Sequence, residues 1–181
     1  MQITIGQSSL LFLFSLVFVG TLTPMIRKLA IQLQVIDQPS EAHKTHKEPV
    51  PYLGGVAIVI GVLVTTYGAL LWSKRLELFG IASAVLLPAV FLGVVGLVDD
   101  IKKLSPWPRF IAQNIVGIAI SLALVATDTL GSPTGSSVLD VCISVFWIVG
   151  ITNSINFFDN VDGGASGALA ISAFFLAILA L

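Results

Sequence analysis

Charged residues are scarce in this sequence. Of its 181 residues, only 10% are Asp, Glu, Lys or Arg and 56% are hydrophobic, and the mean hydropathy is +0.99. A soluble domain carries roughly a quarter charged residues. A domain of this length also leaves much of its surface exposed, so this much apolar surface cannot all enter one core. The composition therefore excludes a soluble globular domain and predicts an integral membrane protein.

Cysteine, surplus positive charge and a cleavable leader are also lacking. Cys142 is the only cysteine, which excludes an internal disulfide, and its place in an apolar run favours a small buried side chain. The net charge of -1 does not indicate a nucleic-acid partner. The first apolar run has no basic region before it and no small-residue cleavage site, so it is interpreted as a retained helix.

Six long apolar runs occupy most of the chain. A membrane-spanning helix needs about 20 largely apolar residues, whereas a strand of a membrane barrel alternates polar and apolar positions over about 10 residues. The runs therefore predict an all-α fold, a polytopic bundle of about six transmembrane helices that forms a single transmembrane domain over residues 1–181. The predicted spans are about 4–23, 53–72, 79–98, 109–127, 138–157 and 164–181.

The positive charges predict the orientation of these helices. Loops at about 24–52, 99–108 and 158–163 share one side of the membrane, and loops 73–78 and 128–137 share the other. Cytoplasmic loops carry the surplus of Lys and Arg. The first set has seven on or beside it, Arg27, Lys28, Lys44, Lys47, Lys102, Lys103 and Arg109, against Lys74 and Arg75 on the second. The first set is therefore predicted to be cytoplasmic, in the inner or plasma membrane, with the N-terminus outside.

An acidic pair, Asp99 and Asp100, follows the third apolar run. Adjacent side chains on a helix diverge by about 100°, so both carboxylates can face one ion only if the helix ends there, as Pro106 nearby indicates. Such a pair suits Mg²⁺, which takes one or two carboxylates, and could equally share one proton. The alternative without chemistry is a solvated helix end paired with Lys102 and Lys103.

A second polar run follows the fifth apolar run and repeats every three residues as Asn153, Asn156, Asp159 and Asp162. This spacing puts successive members near one face of a helix. They would form a polar stripe that reaches the cytoplasmic face, where Gly163 lets backbone approach a ligand closely. The alternative is a helix–helix contact, which suits a single Asn better than four such residues.

The long loop 24–52 carries His46 and Lys47 shortly before the second predicted helix. Lys can hold a phosphate as a point charge, and the free N–H groups of a helix beginning near Gly54 and Gly55 would add donors. The His residues are interpreted as phosphate donors or loop surface rather than metal ligands. Ordinary positive charge on a cytoplasmic loop is the alternative.

Four further polar residues are given no chemical role. Gln113 and Asn114 lie inside an apolar run and must face protein or a cavity, and helix packing is favoured over a substrate groove. Asp128 and Asp140 flank the outer loop and are interpreted as solvated helix ends.

The three polar segments follow an order and spacing typical of a known family. The segments are His46-Lys47-x-Pro49-Val50-Pro51-x-x-Gly54-Gly55, Gly96-x-x-Asp99-Asp100-x-x-Lys103 and Asn153-x-x-Asn156-x-x-Asp159-x-x-Asp162-Gly163. Together they resemble the polyprenyl-phosphate N-acetylhexosamine-1-phosphate transferases of glycosyltransferase family 4. This group includes the phospho-MurNAc-pentapeptide translocase and the undecaprenyl-phosphate GlcNAc-1-phosphate transferases. The resemblance covers about residues 27–170.

The resemblance implies a transfer reaction that requires Mg²⁺, with Mn²⁺ as the alternative ion. A UDP-N-acetylhexosamine would donate its sugar 1-phosphate to a polyprenyl phosphate in the membrane and release UMP. Catalytic roles are implied for Asp99, Asp100 and Asp159. Substrate contacts are implied for His46, Lys47, Lys103, Asn156, Asp162 and Gly163. Metal ligation is implied for Asp99, Asp100, Asn156 and Asp159. A homodimer is left open.

The sequence departs from the family pattern in three respects. Asn160 and Gly164 stand where the family has Gly and Leu. The loop before Gly54 lacks the Gly-Thr-Pro-Thr-Met form of the MurNAc-pentapeptide enzymes, which favours a GlcNAc-type donor. The family continues for several more helices, with another Asp-bearing loop and a His-rich loop. We therefore expect this chain to be the N-terminal part of a longer transferase and to be inactive alone.

Two other function classes remain as alternatives. A cation- or proton-coupled transporter would also need Asp and Asn side chains, but its binding groups should lie near the bilayer midplane rather than at one face. A non-catalytic membrane scaffold is the third interpretation.

Overall fold

A computed structural model of the chain describes residues 4–37, 50–51, 53–159 and 163–179. In these residues the chain is almost entirely helical, which confirms the predicted all-α class. The helices are α1 Ile5–Gln32, α2 Gly54–Trp72, α3 Phe79–Lys102, α4 Pro106–Ala126, α5 Ser137–Phe158 and α6 Gly164–Leu179. A short 3-10 helix, Leu76–Leu78, precedes α3. A two-residue antiparallel ladder pairs β1 (Ile36–Asp37) with β2 (Val50–Pro51), with Ile36 opposite Pro51.

Five of the helices are long and apolar enough to cross a membrane. They are Ile5–Gln32, Gly54–Trp72, Leu76–Lys102, Pro106–Ala126 and Ser137–Phe158, whereas α6 is a shorter apolar helix. Large apolar side chains such as Phe12 and Phe146 lie exposed on these helices. Surfaces of this kind are expected to face lipid rather than water. The chain is therefore a multi-pass membrane protein.

The first helix is longer than its predicted span, 4–23. α1 continues through Pro24 and comprises 28 residues, which corresponds to about 42 Å at 1.5 Å per residue and exceeds a hydrocarbon core of about 30 Å. Proline removes one backbone hydrogen bond, but membrane helices tolerate it where nearby groups satisfy the backbone. Arg27 and Lys28 consequently lie exposed on the last two turns of α1 instead of in a loop.

The contacts of the chain group into two compact units. The N-terminal unit is Ser9–Arg109, and the C-terminal unit is Phe110–Leu181 together with Met1–Ser8. In the N-terminal unit, the hydroxyl groups of Ser15 and Thr65 lie 3.0 Å apart and link α1 to α2. Hydroxyl hydrogen bonds of this type commonly join helices in membranes. The predicted organisation as one transmembrane domain stays a prediction.

The most extensively buried helix of the C-terminal unit is α4. Its buried residues recur at spacings of one, three and four, as one face of a helix requires. They are Ala112, Gln113, Val116, Gly117, Ile120 and Ser121. A Cβ atom added at Gly117 would lie 3.6 Å from the Cα atom of Val145 in α5, so the two helices approach closely at this glycine.

Two predictions about polar or reactive residues in this unit are wrong. Asp140 is only 3% exposed, and its Oδ1 accepts hydrogen bonds from the backbone N–H (3.1 Å) and hydroxyl (2.8 Å) of Thr134. It lies in the first turn of α5, where a helix favours negative charge. Asp128 is exposed, as predicted. Cys142 is exposed rather than buried, because an apolar run in a membrane protein can face lipid as well as a core.

Candidate functional site

The acidic pair lies within the last turns of α3. The helix continues to Lys102, and Lys103 ends it in the left-handed conformation (φ 49°), with its backbone N–H donating to the Asp99 carbonyl at 2.7 Å. Asp99 is half-buried and Asp100 is exposed. Because the helix does not end at the pair, the two carboxylates project about 100° apart. A single ion held by both carboxylates would therefore require the two side chains to turn toward each other, and their joint role as metal ligands stays a prediction.

Asp99 forms an ion pair that the sequence analysis missed. The Arg109 guanidinium donates through Nη1 to the Asp99 Oδ2 atom at 2.7 Å, and the two side chains are 32% and 16% exposed. Hydrogen bonds between charged groups are shorter and stronger than neutral ones. The sequence analysis named Lys102 and Lys103 as the partners of the acidic pair in the alternative without chemistry. It used Arg109 only to predict the orientation of the helices in the membrane.

A short connector brings this pair together. Residues 103–105 separate α3 from α4, and Pro106 occupies the first position of α4, where its missing N–H is not needed. The few residues between the helices let Arg109, in the first turn of α4, reach Asp99 near the end of α3. A basic residue ten positions after Asp99, across a helix stop, was the available sequence signal.

The first two members of the second polar run lie on the last turns of α5, as their spacing predicted, whereas Asp162 is outside the described residues. Asn153 is half-buried, Asn156 is exposed, and both are within the helix. Asp159 caps the helix and is exposed, with its backbone N–H donating to the Ile155 carbonyl at 3.0 Å. Gly163 precedes α6 and has a φ of 73°, a conformation that favours glycine.

Asn153 contacts α4 as well as its own helix. Its Nδ2 atom donates to Gln113 Oε1 at 2.7 Å and to the Val149 carbonyl at 2.8 Å. Gln113 is 3% exposed, so its amide serves helix packing as expected. Asn114 instead lines a groove of about 270 Å³ between α4 and α5. The groove is lined by Phe110, Asn114, Val145, Phe146, Val149, Gly150 and Asn153.

The remaining predicted substrate-binding residues divide into two groups. His46, Lys47 and Asp162 lie outside the described residues. Lys103 is described, and its side chain is exposed at the end of α3.

The predicted metal ligands offer carboxylate and amide oxygens, which are suitable donors for Mg²⁺. Asp99 and Asp100 belong to the N-terminal unit, and Asn156 and Asp159 belong to the C-terminal unit. Within the described ranges, no three His, Cys, Asp or Glu side chains are grouped closely enough to hold a metal ion. The assembly of these four residues around one ion stays a prediction.

Comparison with known families decides the class of the protein. The sequence model described as Glycosyl transferase family 4 matches residues 81–181, more than half of the chain. The chain belongs to glycosyl transferase family 4. The matched range includes both acidic segments, Asp99–Asp100 and Asn153–Asp162. The resemblance stated from the motifs is thereby confirmed.

Individual relatives are similar over almost the whole chain. A protein of Bacillus subtilis (strain 168), named a probable undecaprenyl-phosphate N-acetylglucosaminyl 1-phosphate transferase, is 32% identical over 175 residues, covering 94% of this chain and 47% of the relative. The phospho-N-acetylmuramoyl-pentapeptide-transferase of Staphylococcus carnosus (strain TM300) is 28% identical over 182 residues, covering 90% and 55%. The chain therefore spans about half the length of these relatives. No solved structure matches it significantly.

Proposed function

We propose that the protein transfers an N-acetylhexosamine 1-phosphate, GlcNAc 1-phosphate by preference, from a UDP-sugar to a polyprenyl phosphate in the membrane. The observation that carries the proposal is the family match across both acidic segments. The name of the Bacillus subtilis relative supports the GlcNAc donor and the undecaprenyl acceptor. The apolar helices supply a membrane location in which such a lipid is accessible.

The reaction exchanges one phosphoanhydride bond for another. An oxygen of the polyprenyl phosphate attacks the phosphorus next to the sugar and forms a new P–O bond. The bond from that phosphorus to the bridging oxygen breaks, and UMP leaves with the electron pair. Both reactants are anions, so positioning and charge neutralisation supply most of the rate. Lys47 and Lys103 are suited to neutralising the phosphates.

The carboxylates of the site would hold the divalent cation and orient the lipid phosphate. Asp99, Asp100, Asn156 and Asp159 would coordinate Mg²⁺, or Mn²⁺ instead, and the bound ion would neutralise phosphate oxygens. Arg109 engages Oδ2 of Asp99, which restricts rotation of that carboxylate. Arg109 is thus a positioning residue, since it acts through Asp99.

The site is proposed to face the cytoplasm, where UDP-sugars are made, with the N-terminus outside. The distribution of Lys and Arg supports this orientation. Cysteines introduced one at a time at Ser105 and Thr129, in a Cys142→Ser background, would test it with a membrane-impermeant maleimide on intact cells. Thr129→Cys should be labelled and Ser105→Cys protected, and the reverse pattern would contradict the orientation. A homodimer stays a prediction that light scattering of the purified protein can check.

The decisive experiment measures UMP release by the full-length protein in lipid nanodiscs with UDP-GlcNAc and polyprenyl phosphate. We expect activity with Mg²⁺, loss of activity with EDTA, and a decrease of about 100-fold for Asp99→Asn and for Asp159→Asn. Asp128→Asn, which changes an exposed carboxylate at the opposite ends of the helices, is the matched control and should retain the parental rate.

Two results would contradict the proposal. One is a parental rate in both acidic variants. The other is cation-dependent solute flux in proteoliposomes without UMP formation, which would favour the transporter. Parallel assays with other UDP-sugars identify the preferred donor.

A further inference from the structure

We propose that Gln113 is a positioning residue of the α5 polar stripe. In this proposal Gln113 holds Asn153, and Asn153 sets where Asn156 and Asp159 lie at the end of the same helix. The inference rests on the proposed function, in which Asn156 and Asp159 contact nucleotide or metal.

Gln113 occupies a position where an amide must have a partner. It is 3% exposed and lies on the buried face of α4. Burying an amide without a hydrogen bond is unfavourable. The partner is Asn153 of α5, at 2.7 Å. A leucine would fill a similar volume without needing any partner, so the amide contributes a directional hydrogen bond in addition to packing.

The orientation of Asn153 is determined by its two acceptors. Gln113 Oε1 and the Val149 carbonyl are both acceptors, so the Asn153 amide nitrogen must face them and each of its hydrogens serves one. The side chain is therefore tied to its own helix and to α4 at once. The bond to Val149 turns with α5, so a rotation of α5 about its axis would break the bond from Asn153 to Gln113.

This constraint reaches the end of α5 because the helix is continuous from Asn153 to Phe158. A slip by one residue would move Asn156 by about 1.5 Å along the axis and turn it by about 100°. The close approach of Gly117 and Val145 provides a second contact between the helices. That contact limits their separation, whereas the amide pair limits their rotation. Misplacement of a reacting group by about 1 Å can reduce a rate 100-fold.

The first test compares kinetic parameters of full-length variants in the UMP-release assay. We expect Gln113→Leu and Gln113→Asn to lower kcat about 10-fold while KM for the UDP-sugar changes less than about twofold. Asn153→Gln alone should do the same. The double variant Gln113→Asn/Asn153→Gln restores the combined length of the two side chains and should recover most of the lost kcat. Ser121→Ala is the matched control, because Ser121 is buried on the same face and, among the described residues, bonds only within its own helix, at the Gly117 carbonyl.

The second test measures helix register without reference to activity. A Cβ atom at Gly117 would lie 3.8 Å from the Val145 Cβ atom, within the usual range of about 3.5–4.5 Å for a disulfide. In a Cys142→Ser background, Gly117→Cys/Val145→Cys should cross-link on oxidation, and adding Gln113→Leu should slow the cross-linking several-fold.

The outcomes separate this inference from the proposed function. A parental protein that releases no UMP would overturn the proposed function and the inference together. An active parental protein in which Gln113→Leu keeps the parental kcat and cross-linking rate would overturn the inference alone. If Gln113→Leu does not fold, Gln113→Asn and the double variant provide the same comparison, and failure of the double variant to recover kcat would also overturn the inference.

Discussion

Two polar contacts between side chains, one in each unit, differ in charge and in exposure. In the N-terminal unit, Arg109 and Asp99 are both ionised residues at helix ends and remain partly exposed. In the C-terminal unit, Gln113 and Asn153 are neutral, and Gln113 is almost completely buried. Removing an ion pair from water is expensive, whereas a neutral amide pair can be buried at a modest cost. The charged pair therefore keeps contact with solvent, whereas the neutral pair belongs to the buried contact between α4 and α5.

Removing the guanidinium should have the largest effect. Arg109→Ala leaves the Asp99 carboxylate without its 2.7 Å partner, and we expect UMP release to fall about 100-fold because the carboxylate is no longer oriented. Arg109→Lys keeps the charge but not the planar group and should recover only part of the activity. A rate within about twofold of the parental protein for Arg109→Ala would show that the ion pair does not support the reaction.

Placing a charge in the neutral pair should destabilise the protein. Asn153→Asp removes the N–H donors that serve Gln113 Oε1 and the Val149 carbonyl, and it places a carboxylate beside that backbone carbonyl. We expect about 2 kcal/mol less stability in thermal unfolding monitored by fluorescence. Asn156→Asp is the control, since Asn156 is exposed. Equal melting temperatures for the two variants would contradict the inference that the amide pair excludes charge.

The stability of Asp140→Ala tests whether burial alone excludes a carboxylate from the C-terminal unit. This buried carboxylate has two hydrogen bonds from Thr134 and a favourable helix start, so Asp140→Ala should lower stability by about 1–2 kcal/mol. UMP release per folded molecule should be unchanged, because Asp140 is at the opposite end of α5 from Asp159. If Asp140→Ala lowers both stability and kcat, the loop that carries Thr134 contributes to the reaction. Asp128→Ala serves as the exposed control.

An exposed ion pair should have the smallest effect. Arg75 and Glu77 lie 3.7 Å apart and are 42% and 66% exposed. Surface pairs of this kind contribute about 0–1 kcal/mol, so Arg75→Ala should leave the melting temperature and UMP release nearly unchanged. A large loss of activity in Arg75→Ala would indicate that losing any arginine of the N-terminal unit lowers activity. The effect of Arg109→Ala would then not be specific to its ion pair with Asp99.

The helices could be predicted because long apolar runs specify them directly. The boundaries were less accurate where local signals conflicted. Pro24 did not end α1, and α3 continued past Asp99 and Asp100 to Lys102. Partners such as Arg109 for Asp99 could not be predicted, because they depend on how each helix is rotated against its neighbour. Asp140 was predicted to be a solvated helix end, but it is buried. The local sequence does not show that a loop covers the start of the helix.

The polar stripe of α5 shows what spacing alone can predict. Its helical phase and its position at the end of the helix are confirmed for Asn153 and Asn156. The hydrogen bond from Asn153 to Gln113 could not be anticipated, since Gln113 is forty residues away along the chain. Gln113 was expected to pack between helices, but nothing in its local sequence identifies the residue that it contacts.

The connector at residues 103–105 also constrains how this protein can vary. Loops usually accept insertions and deletions with little consequence. Here the left-handed Lys103 ends α3 and Pro106 begins α4, so only residues 103–105 lie between the two helices. One added residue would shift Arg109 along or around α4 relative to Asp99, while both helices could still form and insert. The length of this connector therefore sets the distance between the Asp99 carboxylate and the Arg109 guanidinium, which a change in connector length would alter without preventing either helix from forming.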